Sequence, residues 1–271
     1  MYKQRRKLLS QNFLFDRELI KRLIGNSSIG KTDTVLEIGP GKGIITQELI
    51  SNAGKVIAIE LDSSLFTELN IQFNDQSNLE LYNADFLRFP LPHGQYKVFS
   101  NIPFRFTGEI IKKLLFSFNP PQDTYLIVQK EAAEKYLGNS LIAALLHPWF
   151  EFSIQYRFGR CDFIPATGVS SVLLRIGRRN RPLLNPSLRR DYEDFLTYVF
   201  SGKKPQLLRL SKKLSLIHIS EWLCIFKIFI NSVNRKKLQN AKGTFIKLMS
   251  EQSRLQKIHR TREDKNWKRF K

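Results

Sequence analysis

The chain has 271 residues, of which 42% are hydrophobic, enough for one large or two modest domains around a real core. Its two cysteines lie far apart in sequence, which argues against a disulfide framework and favours a reducing, cytoplasmic location. Its four histidines are scattered without metal-ligand spacing, so we expect no metal site.

The formal net charge of +20 is unevenly distributed along the chain. Residues 1–22 carry a net charge of +5 and residues 203–271 a net charge of +15, whereas residues 23–202 carry 18 basic and 18 acidic side chains. A basic surface of this size attracts a polyanion, and nucleic acid is the leading candidate, with a merely solvated tail as the alternative. We expect no membrane contact, because the apolar segment 214–230 contains charged residues and favours a packed helix.

The first apolar pattern in chain order predicts a short helix over residues 16–25, with Asp16 as its N-cap. Strands and helices then alternate as far as residue 137, and two strands follow. The predicted strands are 34–38, 55–59, 79–82, 96–100, 124–128, 152–158 and 170–176, and the predicted helices are 44–51, 63–73, 108–116 and 131–137. This alternation predicts an α/β fold with a doubly wound, Rossmann-like sheet.

Composition changes around residues 178–186, where Arg, Asn and Pro cluster and two prolines interrupt regular structure. Helical spacing resumes at Ser187, with Tyr192, Phe195, Leu196 and Val199 on one face. We therefore place a domain boundary near residue 180, between a domain over residues 1–180 and a small, basic, helical domain over residues 181–271. We expect residues 254–271 to be partly disordered.

A glycine-rich turn, Glu37 to Gly43, joins the first strand of the alternation to its helix. A turn at this place in a doubly wound sheet is where nucleotides bind, because glycine lets a ligand approach the backbone closely. The spacing is Gly-x-Gly-x-Gly, which differs from the dinucleotide pattern and suits a donor without phosphates, such as S-adenosylmethionine. A simple tight turn explains the pattern equally well.

Acidic residues occur at the ends of successive predicted strands. Glu60 ends the second strand, where it can accept hydrogen bonds from ribose hydroxyls. Asp85 follows the third strand, where it can accept a hydrogen bond from the amino group of the adenine of a methyl donor. The alternatives are an exposed strand-end acid for Glu60 and an Asx turn for Asp85.

The tetrapeptide Asn101 to Phe104, Asn-Ile-Pro-Phe, follows the fourth strand. It suits methylation of an amino nitrogen on a ring, which is a poor nucleophile because its lone pair is delocalised. The Asn side chain and a backbone carbonyl can accept both N–H bonds, the aromatic ring can stack on the base, and proline fixes the turn. The alternative is a strand-ending turn with a core Phe.

Taken together, these motifs resemble the rRNA adenine-N6 dimethyltransferases, a family that includes the 16S dimethyladenosine transferases and the Erm enzymes of macrolide resistance. Gln11-Asn12-Phe13-Leu14 near the start belongs to the same resemblance, as does the segment from Phe163 to Ser171. In that late segment Thr167 replaces the second proline of the family's Phe-x-Pro-x-Pro-x-Val-x-Ser motif. The resemblance covers residues 10–176.

The resemblance implies roles for the matching positions. Those near the donor, S-adenosylmethionine, would be Gln11, Asn12, Leu14, Gly39, Gly41, Glu60, Asp85 and Asn101. Of these, Gly39 and Gly41 would line its methionine end, Glu60 would hold the ribose and Asp85 the adenine amino group. Asn101 would also hold the target amino group, Phe104 would stack on the target base, and Phe163 would close over its other face unless it packs in the core.

Within the family the sequence favours the Erm branch, since Ser10 precedes the Gln-Asn-Phe motif and the chain lacks a Ser-Lys-x-Tyr-Gly segment before Asn139. We therefore expect a monomeric enzyme that methylates naked or early-precursor 23S rRNA and confers macrolide-lincosamide-streptogramin B resistance. The alternatives are a 16S rRNA dimethyltransferase of ribosome assembly, a catalytically idle nucleic-acid-binding relative, and a nicotinamide-dependent oxidoreductase.

Overall fold

The structure, a computed structural model, describes residues 13–166, 168–202, 213–232 and 241–254. The chain divides into two compact units, Met1–Leu183 and Leu184–Lys271. Within the described ranges, no helix combines the length and apolar character needed to cross a membrane.

The first unit is built on parallel strands. Its strands are β1 (Phe13–Leu14), β2 (Thr34–Ile38), β3 (Lys55–Glu60), β4 (Leu79–Asn83), β5 (Lys97–Asn101), β6 (Asp123–Gln129), β7 (Phe150–Phe158), β8 (Phe163–Ile164) and β9 (Ser171–Arg178). In the described part of the chain, seven of them form one sheet in the order β4-β3-β2-β5-β6-β9-β7. The strands from β4 to β6 are parallel, and β9 and β7 are antiparallel to their neighbours.

The order of the strands creates a switch point between β2 and β5. The chain runs outward from β2 through β3 to β4 and then returns to β5 on the other side of β2. Adjacent connections therefore leave in opposite directions, which opens a crevice at the carboxyl ends of these two strands. This topology confirms the predicted doubly wound, Rossmann-like fold.

In the described residues, helices connect most strands of the first unit and form most of the described part of the second unit. They are α1 (Arg17–Gly25), α2 (Ile44–Asn52), α3 (Ser63–Gln72), α4 (Thr107–Leu115), α5 (Lys130–Leu137), α6 (Leu141–Leu146), α7 (Arg189–Phe200), α8 (Ile219–Ser232) and α9 (Thr244–Arg254). Asp16 caps α1 as predicted, accepting a hydrogen bond of 3.0 Å from Leu19 N. Helix α6 was not predicted, because its unbroken apolar run carries no helical period; Ser140 caps it through Ala143 N.

The central strands supply the core of the first unit. Leu36, Val56, Val98 and Leu126 are all 0% exposed, which follows from parallel strands being covered on both faces. A separate two-stranded sheet pairs β1 with β8, with Leu14 opposite Phe163. Sequence analysis missed this pair, since two-residue strands carry no pattern.

The second unit is helical in its described part. The predicted apolar face of α7 is buried, and Phe195 packs against Phe226 and Phe229 of α8, with ring centroids 5.5 and 4.8 Å away. The predicted helix over 214–230 begins only at Ile219, after a short 3-10 turn. The predicted disorder of the tail concerns residues that, from 255 onward, lie outside the described residues.

Candidate active site

A cavity of about 240 Å³ opens at the carboxyl ends of β2, β3, β4 and β5. The turns that follow these four strands supply most of its wall. Its lining includes these residues singled out from the sequence: Leu14, Gly39, Gly41, Glu60, Asp85, Asn101 and Phe104. They meet because parallel strands present their carboxyl ends at one edge of the sheet, on either side of the switch point.

The glycine turn after β2 is tied to the tip of β3. Gly39 N donates to Ile59 O at 2.9 Å, and Gly41 N donates to Glu60 Oε2 at 3.0 Å. Gly39 and Gly41 have φ angles of 68° and 61°, in the left-handed region that favours glycine. A Cβ atom on Gly41 would lie 2.8 Å from Phe13 Cε1, so glycine is what lets the Phe13 ring cover this turn.

Glu60 presents a buried carboxylate to the cavity and is only 4% exposed. Burial raises its pKa, while hydrogen bonds from the backbone N–H groups of Asp62 and Gly41 oppose that rise. These bonds measure 2.9 Å to Oε1 and 3.0 Å to Oε2. A backbone hydrogen bond from Leu61 also lowers the pKa of Glu60, and a carboxylate offers about four acceptor positions, so roughly one remains for a hydroxyl group of a ligand.

A second buried acid, Glu37, lies at the end of β2 and accepts a hydrogen bond of 2.7 Å from Thr46 Oγ1. Burial raises the pKa of Glu37 to about 8; the Thr46 bond opposes the rise and the charge of Glu60 adds to it. Glu37 is therefore mostly protonated at neutral pH. A cationic ligand would favour its charged form, because an opposite charge nearby lowers a carboxyl pKa.

The turn after β4 brings an acid and an aromatic ring to the cavity, Asp85 and Phe86. Asp85 Oδ1 accepts from Leu87 N at 2.9 Å, which forms the Asx turn expected as its alternative role, while the side chain stays 41% exposed. Lys113 fixes this turn, since its Nζ donates to Phe86 O and lies 4.7 Å from the centroid of the Phe86 ring. Turn formation and ligand contact are therefore compatible at Asp85.

Asn101 and Phe104 stand on the other side of the switch point. Asn101 is the last residue of β5, and Phe104 begins a 3-10 turn that leads into α4. Both side chains are partly exposed and line the cavity. An amide and an aromatic ring beside a glycine turn can hold a planar base through its amino group and its face.

Ser100 joins the two sides of the switch point. It is 0% exposed, and its hydroxyl donates to Ile38 O at 2.5 Å and accepts from Ile38 N at 3.3 Å. The backbone pairing of β2 with β5 ends at Leu36 and Val98. Beyond that point, the Ser100 hydroxyl supplies the hydrogen bonds that hold the two strands together. Because the glycine turn follows Ile38 and Asn101 follows Ser100, the contact sets the spacing of the two walls. Sequence analysis missed it, since a lone serine in an apolar strand gives no signal.

The structure corrects the predicted role of Phe163 as a ring that covers the target base. It is 2% exposed, belongs to the apolar core and has its ring centroid 5.6 Å from that of Phe158. Phe163 is not among the residues that line the cavity, and a ring enclosed in this way is not available to cover a base, so the core-packing alternative is favoured. Gln11 and Asn12 lie outside the described residues. Phe106 lines the cavity although the sequence did not single it out.

The lining suits a cationic nucleoside better than a dinucleotide. Among the described lining residues, Glu60 and Asp85 are acidic and Lys42 is basic, and most of the others are apolar. A phosphate would need the free N–H groups of the turn, yet Gly41 N already donates to the Glu60 carboxylate. The residues therefore fit S-adenosylmethionine, whose sulfonium and amino groups are positively charged.

Comparison with known proteins agrees with this chemistry. Residues 2–247 match the family model for ribosomal RNA adenine dimethylase. An rRNA adenine N-6-methyltransferase of Bacteroides fragilis is 34% identical over 201 residues, which are 73% of this chain and 74% of that protein. The ribosomal RNA small subunit methyltransferase A of Mycoplasmopsis pulmonis is 30% identical over 211 residues, 75% of this chain and 82% of that protein.

Among solved structures, the 23S rRNA methyltransferase ErmE aligns with a TM-score of 0.72 and 27% identity, covering 80% of this chain and 98% of that chain. The fold, the cavity and the family match point to the same activity. The chain belongs to the ribosomal RNA adenine dimethylase family and is an S-adenosylmethionine-dependent rRNA adenine-N6 methyltransferase.

Proposed function

We propose that this enzyme acts in the cytoplasm on 23S rRNA, methylating one adenine at the drug site of the large subunit, and that the added methyl groups confer resistance to macrolides, lincosamides and type B streptogramins. The observation that carries this proposal is the likeness to ErmE, which extends over 98% of that chain. The sequence motifs that favour the Erm branch support it independently.

The donor side of the cavity is assigned to the turns after β2, β3 and β4. Gly39 and Gly41 would line the methionine end of the donor, and Leu14 would pack nearby. Glu60 would hold the ribose by accepting a hydrogen bond from a hydroxyl group at its remaining acceptor position, and Asp85 would accept a hydrogen bond from the adenine amino group. S-adenosylmethionine supplies the electrophilic methyl group.

The acceptor side is assigned to Asn101 and Phe104. The target adenine leaves the RNA stack, as a base must when an enzyme modifies it, and stacks on the Phe104 ring. The Asn101 side-chain oxygen accepts an N–H of the exocyclic amino group, which favours the pyramidal, nucleophilic nitrogen of the transition state. Catalysis rests mainly on this orientation and needs no covalent intermediate.

The basic second unit is assigned to RNA binding. In its described part, Lys227, Lys242 and Lys247 are exposed, and most of the basic residues from 203 onward lie outside the described ranges. These side chains would hold rRNA, naked or in an early precursor, by its phosphates. Such interactions weaken steeply as salt is raised.

The proposal is tested by incubating the protein and its Asn101→Ala variant with naked 23S and 16S rRNA and labelled donor. We expect label in 23S rRNA with the wild type alone, at one adenine that stops primer extension. Cells that express the wild type should survive macrolide concentrations that kill cells expressing the variant. Label confined to 16S rRNA would refute the 23S assignment.

A 16S target is the second candidate. The small subunit methyltransferase A of Mycoplasmopsis pulmonis matches over 82% of its length at 30% identity, close to the 34% of the Bacteroides fragilis enzyme. This candidate would place the enzyme in ribosome assembly without drug resistance, and the same labelling experiment distinguishes the two.

A further inference from the structure

A second cleft, of about 1050 Å³, lies at the opposite edge of the sheet from the active-site cavity. Its wall comes from the amino ends of β5, β6 and β7 and from the carboxyl end of the antiparallel β9. It includes the cluster of arginines near residue 178 that the sequence singles out and that the proposed active site does not use.

The cleft is basic. Three of its five cationic side chains have acidic partners: Lys97 with Asp33 at 2.7 Å, Arg175 with Asp123 at 2.8 Å and Arg179 with Glu151 at 2.6 Å. The other two cations, Arg178 and Arg181, are exposed and have no acidic partner among the described residues. The cleft therefore has two uncompensated positive charges in a region whose sequence is neutral as a whole.

The segment that bears these two arginines is anchored to the body of the first unit. Arg178 N donates to Gln122 O at 2.8 Å, Arg179 N to Trp149 O at 2.9 Å, and Leu183 N to Pro148 O at 2.9 Å. Hydrogen bonds on both sides of Arg181 hold its backbone in place. The backbone that bears the two charges is therefore held in place, so that binding an anion costs entropy only for ordering the two side chains.

The rest of the lining is polar and includes no aromatic side chain among the described residues. Gln95, Gln122 and Asn180 add neutral amide donors. Guanidinium and amide donors without a stacking surface suit phosphate groups and do not suit bases.

We propose that this amino-edge cleft binds phosphate groups of the folded RNA substrate, at a place separate from the active-site cavity. The proposal rests on rRNA being the substrate and adds a second site where that RNA is held. Lys97 and Asn101 mark the two ends of β5, about 13 Å apart at ~3.3 Å per residue, so the two sites face different sides of the domain. An RNA must pass from one edge of the sheet around to the other to reach both sites, which we expect of the folded substrate and not of a short strand.

The test compares the double variant Arg178→Gln/Arg181→Gln with the charge-matched control Lys135→Gln/Arg157→Gln, whose residues are exposed on α5 and β7, lie outside the two basic ends of the chain and line neither cavity. Each full-length protein is titrated into a long folded 23S rRNA transcript and into a short unstructured adenine-containing oligonucleotide, over a series of salt concentrations. Donor affinity is measured in parallel to show that the active-site cavity is intact.

We expect the arginine variant to bind the folded transcript more weakly and to reduce the slope of log affinity against log salt by about 2, roughly 1 for each arginine–phosphate interaction that is removed. The control should keep the wild-type slope, and neither variant should change oligonucleotide or donor affinity. An equal slope change in both variants, or none in the arginine variant, would overturn the proposal.

The outcome is independent of the 23S assignment. If the wild type methylates 16S rRNA instead, the proposed target is wrong, and the same titration with a folded 16S transcript still tests the cleft. If 23S rRNA is methylated while the arginine variant keeps its full salt dependence, the cleft proposal fails alone.

Discussion

The two edges of one sheet present opposite chemistry. At the carboxyl edge the cavity is lined by apolar and aromatic residues with two acids, and burial raises the pKa of Glu60 there. At the amino edge the cleft is lined by arginines and amides, and its acids are used to pair with basic side chains. The first suits a base and a cationic donor, and the second suits phosphate.

This contrast shows how a doubly wound sheet separates the two tasks of an RNA-modifying enzyme. Buried acids close to a base-binding ring would repel an RNA backbone, whereas unpaired arginines in the same place would repel a sulfonium cation. Because the acids and the arginines lie at opposite ends of the strands, one small domain can carry both without either repelling the other's ligand. Substitutions on each side of the sheet can test that separation.

Replacing Asn101 with Ala should have the largest effect and should act on catalysis. We expect turnover on rRNA to fall by about 10²–10³-fold, the effect typical of removing one hydrogen-bonding group that favours a transition state. Donor affinity, measured by calorimetry, should change little. A loss of donor affinity as large as the loss of turnover would contradict the acceptor role.

Replacing Phe104 with Ala should weaken binding of the target base by on the order of 1–3 kcal/mol, through the loss of stacking. Phe104→Tyr is the matched control, since it keeps the ring, and should be mild. Methylation rates at subsaturating and saturating RNA provide the measurement. An inactive but folded Tyr variant would argue against stacking.

Replacing Ser100 with Ala should lower the free energy of unfolding by about 1–3 kcal/mol, because it leaves the buried N–H and C=O of Ile38 without this partner. It should also lower turnover by loosening the spacing of the two cavity walls. Urea unfolding and single-turnover kinetics measure the two effects.

Ser171→Ala is the matched control for that change. Ser171 is also a buried strand serine, 2% exposed, but its hydroxyl has no hydrogen-bond partner among the described residues. Its removal should leave stability and turnover nearly unchanged. Equal effects of the two substitutions would show that the Ser100 hydrogen bonds have no special importance.

The last prediction concerns the pH dependence of stability and not turnover. Because burial raises the pKa of Glu37 to about 8 from its ordinary value of 4.5, its contribution to stability is fully present below pH 4.5 and is lost as pH rises through 8. Glu37→Gln removes this dependence. Between pH 5 and pH 8 the wild type should therefore lose stability relative to the variant, by up to about 3–4 kcal/mol at ~1.4 kcal/mol for each pKa unit. Melting temperatures across this pH range provide the measurement, and parallel profiles for the two proteins would show that Glu37 is not the titrating group.

Much of this molecule follows from local sequence. Apolar runs such as Thr34–Ile38 and the glycine turn after it predict a buried strand and the turn that ends it, because both depend on neighbouring residues alone. Glu60, Asp85 and Asn101 were predicted to lie together from their places at strand ends, since the fold brings those ends to one edge.

The tertiary structure decided what depends on residues distant in the chain. It placed Phe163 in the apolar core, tied Gly41 to Glu60 and Ser100 to Ile38, and brought Lys97 beside the arginines near residue 178. The sequence by itself determined the strands of the seven-stranded sheet, the turns after them and the residues at their ends, because backbone preference and apolar period are local properties. Which of those side chains is enclosed, paired or left charged depends on interactions that exist only once the sheet has formed.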